Sequence, residues 1–140
     1  AYNKIKNYLI MQSNLYNKII LVRSAILVEF EKEILKGYVD IIILSVLKHK
    51  NMYGYEIGKT IKQTNKSFEM KEATLYVSLK RLEKKNYLDG YWNDDENTGG
   101  GRRRYYKITQ EGLNFFSEKV QEWLVLRELL NQFLEVSINE

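Results

Sequence analysis

Between Glu72 and Thr109 the hydrophobic period of the chain switches from helical to alternating, and this switch limits the architectures open to it. In "KEATLYVSLKRLEKKNYL", Leu75, Leu79 and Leu82 stand at i, i+4 and i+7, which stacks them on one face of a helix. Thr74, Val77, Lys80, Arg81 and Lys84 then point elsewhere, so the outward face is basic. The runs that follow, "YLDGYW" (Tyr87 to Trp92) and "RYYKI" (Arg104 to Ile108), are rich in aromatic and β-branched residues. Between them "NDDENTGGG" has turn chemistry, and the two runs predict a hairpin with a long glycine-rich tip.

Two more helices precede this unit. Val39, Ile42, Ile43, Val46 and Leu47 share a helical face after "KGYVD", and that helix should stop near "KHKNMYG". Tyr55, Ile57 and Ile61 mark a short second helix through "GYEIGKTIK", closed by the polar "QTNKS". Three helices, the third basic, followed by a hairpin whose returning strand opens with Arg102, Arg103 and Arg104, predict a winged helix-turn-helix: mostly α, with a small β-hairpin wing. The tip glycines allow a tight fold or close approach, the arginines suit phosphates or a minor groove, and the tyrosines anchor the strand. Thr109 is placed to cap a long final helix.

With 140 residues, 44% of them hydrophobic, one domain is the expectation. The reading divides it into an N-terminal extension (1–30), a winged-helix DNA-binding domain (31–108) and a C-terminal dimerisation helix (109–140). In the extension, Leu15, Ile19, Val22, Ile26 and Phe30 recur at helical spacing and predict an extra amphipathic helix. The extension lacks a continuous apolar region and a small-residue cleavage signature, which argues against a signal peptide. No apolar run reaches the roughly 20 residues of a spanning helix.

Twenty-two Lys and Arg against 18 Asp and Glu give a net charge of +4, which permits an anionic partner. The absence of cysteine excludes a disulfide framework and thiolate metal sites, and fits a cytoplasmic protein. His49 is the one histidine and no serine sits in a nucleophile elbow, so neither a triad nor a metal cluster assembles from familiar parts. No enzymatic activity, metal or cofactor is expected. "NDDENTGGG" resembles a calcium loop only superficially: counted from Asp95, the fifth position is Gly99 and the twelfth is Tyr106, where a bidentate glutamate belongs. It reads as a wing tip, with Asp94, Asp95 and Glu96 turned away from phosphate.

"YGYEI" (Tyr53 to Ile57), "TLYVSLKRLE" (Thr74 to Glu83) and "GGGRRRYYKITQEG" (Gly99 to Gly112) together resemble the PadR family of bacterial transcriptional regulators, in order and spacing. The resemblance extends over roughly residues 32 to 134. Val77 departs from it, standing where many such proteins carry proline, and the segment before Glu31 is longer than is usual. The resemblance implies a homodimeric, repressor-like protein that binds a pseudo-palindromic operator in double-stranded DNA and lets go when a small molecule arrives.

Candidate DNA contacts are Lys71, Thr74, Tyr76, Lys80 and Arg81 on the third helix, and Arg102, Arg103 and Arg104 on the wing. The plainer alternatives are an exposed helix face on which Lys80 and Lys84 pair with Glu83 or its neighbours, and a charged strand edge that deters aggregation. Tyr76 combines a ring that packs on the domain with a hydroxyl that, as the resemblance implies, reaches a phosphate. On the last helix Leu113, Phe116, Val120, Trp123, Leu130 and Leu134 recur at steps of three and four, interrupted by Arg127 and widened by Leu124, Leu126, Leu129 and Phe133. That is more apolar surface than a small winged domain covers, so a partner helix is expected. The resemblance places Trp123 at the dimer centre, where it would line a site for a small aromatic effector with Phe116, Val120 and Arg127. Trp123 as ordinary dimer core is the plainer alternative.

Two functions remain from these features. A ligand-responsive DNA-binding repressor accounts for the basic helix and the wing arginines; a protein-interaction module that has kept the winged fold accounts for the extra N-terminal segment. The first explains more of the sequence.

Overall fold

The computed structural model describes residues 3–7, 10–12, 14–15, 35–66, 68–93 and 101–135. Its principal elements are α1 (Val39–Leu47), β1 (Met52–Tyr53), α2 (Gly54–Thr64), α3 (Glu72–Lys84), β2 (Leu88–Asn93), β3 (Arg103–Ile108) and α4 (Gln110–Leu134). A three-stranded antiparallel sheet in the order β1-β3-β2 stands beside the three short helices, giving a winged helix-turn-helix.

α1 is the hub. Val39, Ile43, Leu44 and Leu47 are buried, and Ile42 and Val46 are half-buried against the same core. Because α1 packs against α2, α3 and α4, "VDIIILSVL" is apolar nearly all round. Leu44, which the one-face reading passed over, lies fully inside. Ile57 and Ile61 of α2, Met70 ahead of α3, Leu75, Leu79 and Leu82 of α3, Leu88 of β2 and Tyr106 of β3 complete the core.

Tyr55 does not share the buried face of α2. It is 66% exposed, and Gly54 takes the inward place that the spacing had given to it. The helix starts at Gly54, where the Tyr53 backbone N–H donates to the Glu56 carboxylate at 3.3 Å. With Gly54, Ile57 and Ile61 as the inward row, the 3.6-residue period turns Tyr55 to solvent. β1 was also not anticipated: Met52 and Tyr53 pair with Tyr106 and Tyr105 inside the stretch read as a helix end. Two residues are too few for alternation to register.

α3 ends in a Schellman arrangement, with Tyr87 N–H donating to the Leu82 carbonyl and Asn86 N–H to the Glu83 carbonyl, both at 3.0 Å. Asn86 adopts φ 61°, a left-handed conformation that Asn tolerates better than most residues, and this turns the chain directly into the wing. β2 and β3 pair from Leu88↔Ile108 to Asn93↔Arg103, as the hairpin reading requires. The tip, with the expected orientation of Asp94, Asp95 and Glu96, lies outside the described residues.

Thr109 caps α4: its Oγ1 accepts from Gly112 N–H at 2.9 Å and donates to the Asn86 carbonyl at 2.6 Å, fastening the helix start to the end of α3. The first turns of α4 lean on the domain, with Phe115 stacked on Tyr87 at 4.4 Å and the Lys48 ammonium 5.0 Å from the Phe116 ring. At 25 residues the helix is about 37 Å long, and its distal half leaves the domain behind. In the extension, residues 3–7, 10–12 and 14–15 are helical and Leu15 is exposed; Ile19, Val22, Ile26 and Phe30 lie outside the described residues.

Candidate nucleic-acid interface

The helical period decides which α3 side chains are available. With Leu75, Ser78, Leu79 and Leu82 inward, Lys71 at the N-cap, Thr74, Val77, Lys80 and Lys84 are exposed. Arg81 is also on the surface, but its guanidinium donates to the Asp40 carboxylate of α1, tying the two helices together. It also lies 3.4 Å from the Ser78 hydroxyl, so this buried hydroxyl is satisfied. α3 runs unbroken through Val77 from Glu72 to Lys84.

Tyr76 packs on the domain through its ring and its hydroxyl oxygen alike. Its ring lies against the start of α2 so closely that a methyl group at Gly54 would meet the hydroxyl oxygen at 2.6 Å, yet 45% of the residue remains exposed. The contact sets the approach of α3 to α2, the two helices of the helix-turn-helix.

The strand period of two separates the adjacent wing arginines. Arg103, Tyr105 and Lys107 share the outer face of β3; Arg104, Tyr106 and Ile108 share the inner one. Arg103 sits 4.5 Å above the Tyr53 ring, at the end of a row in which Tyr53 and Tyr105 are 5.5 Å apart and Tyr105 and Tyr91 5.7 Å. Asn51 donates to the Tyr91 hydroxyl at 3.2 Å and closes that row. Arg104, on the inner face, is bound to the Glu83 carboxylate of α3 and lies 5.4 Å from the Trp92 ring. Arg102, just ahead of the strand, lies 5.4 Å from the same ring and is exposed. Burial pushes the Tyr106 phenol above its usual range, and the neighbouring Arg104 charge partly opposes that shift.

Lys71, Thr74, Lys80 and Arg102 are thus exposed around α3 and the wing base, with Arg103 half-buried over Tyr53, while Arg81 and Arg104 are held by carboxylates within the domain. Glu83 pairs with Arg104, 21 residues away, and not with Lys80 or Lys84. Neither Asp40 nor Glu83 was a candidate from sequence; partners so distant leave no local spacing signal.

The residues read as a dimer and effector face run along α4. Leu113, Phe116 and Val120 are half-buried at its start, whereas Trp123, Leu130 and Leu134 are exposed, as are Leu126, Leu129 and Phe133. The Arg127 guanidinium lies 5.2 Å from the Trp123 ring. Within one chain these residues form a stripe and no enclosed site. His49 is an exposed residue in the turn after α1. Among the described residues no three His, Cys, Asp or Glu side chains could share a metal ion, and no helix is long and apolar enough to cross a membrane.

The transcriptional regulator PadR-like family model matches residues 43–118, from the middle of α1 into α4. A protein of Lysinibacillus sphaericus, called uncharacterized protein X, is 44% identical over 104 residues, or 74% of this chain and 94% of that one. Among solved structures, a transcriptional regulator from Clostridium thermocellum superposes with a TM-score of 0.67 at 39% identity, covering 73% of this chain and 98% of its own. A PadR family transcription regulator from Clostridium difficile gives 0.63 at 44% identity, over 70% and 99%. A third, a PadR family regulator from Eggerthella lenta, gives 0.65 at 26% identity and covers 91% of this chain and 99% of that one. With the family model matching more than half of its length and these likenesses in sequence and fold, the chain belongs to the PadR-like family of transcriptional regulators.

Proposed function

We propose that the chain is a sequence-specific repressor that works in the cytoplasm as a homodimer, binding a pseudo-palindromic operator and leaving it when a small aromatic molecule binds. The observation that carries this reading is the exposed Lys71, Thr74, Lys80 and Arg102, with the half-buried Arg103 beside them, around one helix and the base of one wing. Thr74 and Lys80 are placed to meet base edges, and the wing arginines to meet phosphates. The exposed distal half of α4 supports a second copy as its cover, because a two-fold axis there pairs identical apolar stripes. Two recognition helices would then lie about one DNA turn, roughly 34 Å, apart. Trp123, Val120, Phe116 and Arg127 supply a flat aromatic surface and a cation near that axis, which suits an aromatic effector bearing an anionic group. The effector releases DNA only by binding better to a dimer geometry whose half-site spacing is out of register.

The test is selection of duplexes from a random pool by the purified chain, followed by titration of the selected duplex and a scrambled one at several salt concentrations. Preference for the selected duplex, with affinity falling steeply with salt, is the expected result. Arg102→Ala with Arg103→Ala should weaken binding to both duplexes and make the salt slope shallower by about two, whereas Thr74→Ala should act mainly on the selected one. Equal, weak binding to every duplex would overturn the reading in favour of a protein-interaction module.

A further inference from the structure

Arg104 has the composition of a phosphate ligand and the surroundings of a structural residue. It lies on the inner face of the central strand, β3, and its guanidinium is bound to Glu83 in the last turn of α3. To meet, the two side chains cross the edge strand β2 at Gly90. A methyl group built there would stand 2.5 Å from Arg104 Nη2 and 2.6 Å from Glu83 Oε1, so the pair occupies the space of the missing side chain. Trp92, two residues on and therefore on the same face of β2, flanks the guanidinium at 5.4 Å. Tyr106 stands beside Arg104 on the inner face. Both charged side chains are about one-third exposed, so water screens them less than a pair on open surface.

The mechanical consequence follows from connectivity. Between the last turn of α3 and β2 lie only Lys85, Asn86 and Tyr87, with Asn86 in a left-handed turn, so the angle between recognition helix and wing depends on what bridges them beyond that link. We infer that Glu83 is a positioning residue for DNA binding: its bond to Arg104, seated on Gly90, fixes the wing against the recognition helix so that Arg102 and Arg103 meet the backbone while α3 lies in the groove. The inference rests on the DNA-binding reading above. It also removes Arg104 from the phosphate contacts that its place in the arginine run suggests.

The sign of one substitution separates these roles. Glu83→Gln deletes a negative charge close to the bound polyanion, so electrostatics alone makes the variant bind tighter, and tighter still if Arg104 is thereby released to a phosphate. The positioning role requires the opposite. With the duplex selected by the wild-type chain as probe, and at a temperature well below the melting midpoint of every variant, Glu83→Gln should lose affinity on the order of tenfold with a shallower salt slope, as the wing contacts are lost. Gly90→Ala, which leaves both charges in the chain but displaces them, should lose a similar factor. The reversed pair, Glu83→Arg with Arg104→Glu, should recover most of the affinity and the slope. Binding by Glu83→Gln equal to or tighter than wild type would overturn the inference and return Arg104 to the phosphate contacts. A loss that the reversed pair does not repair would overturn it as well, assigning the effect to Glu83 apart from its partner. Failure of the wild-type chain to select any duplex would instead remove the DNA-binding reading, a result distinct from both.

Discussion

α3 and the distal half of α4 use the same side chains at the same spacings and meet opposite environments. Leu75, Leu79 and Leu82 of α3 are buried, whereas Leu126, Leu129, Leu130 and Phe133 of α4 are exposed, Phe133 by 78%. The periodicity of a helix states that it has an apolar face, and nothing about what covers that face. For α3 the cover is in the same chain, supplied by α1, α2 and β2. The end of α4 stands exposed, and a second copy is the cover proposed above.

This contrast can be broken by substitutions on either side of it. Leu79→Ala should have the largest effect on folding, about 3 kcal/mol, because the cavity opens where the residue has no exposed surface. A loss below about 1 kcal/mol in chemical denaturation would mean that the site collapses freely and the core is loosely packed. Leu130→Glu with Phe133→Glu should convert the proposed dimer to a monomer in sedimentation, with a change in domain stability below about 0.5 kcal/mol, since neither side chain touches the core. Unfolding of the domain along with the dimer would erase the distinction between the two faces.

Thr109 joins the regions, and Thr109→Ala should cost about 1 kcal/mol through loss of the α4 cap and of the bond to Asn86. An unchanged melting midpoint would show that Phe115 and Phe116 alone hold the start of α4. The smallest effect concerns pH. Burial raises the Tyr106 phenol above its usual value near 10, so the neutral form is favoured in the folded chain. The contribution of that phenol is complete below pH 10 and is lost as the pH rises beyond it, giving a stability limb that Tyr106→Phe should flatten. A limb unchanged in that variant would assign the alkaline loss to other groups.

Much of the fold was legible because it is encoded locally. The 3.6-residue spacing of α3, the aromatic strands flanking a glycine-rich tip and the Thr109 cap each depend on residues within a few positions of one another. Tyr55 failed that logic because one position of helical phase, set by where α2 begins, separates an inward residue from an outward one. β1 failed it because a two-residue strand exists only through its pairing with β3. The candidate interface was legible as composition, in the basic helix and the arginine run, and less so as roles.

The sequence by itself determined the order of the four helices and the two hairpin strands, the places where the chain turns and the concentration of positive charge near α3 and the wing, since period, turn chemistry and charge are properties of neighbouring residues. The tertiary structure alone decided that Arg104 and not its neighbour Arg103 takes the inner face of β3, that Arg81 and Arg104 are held by Asp40 and Glu83, and that one leucine-rich helix is covered while the other is not. The two ion pairs span 21 and 41 residues of the chain, and only packing brings such partners together.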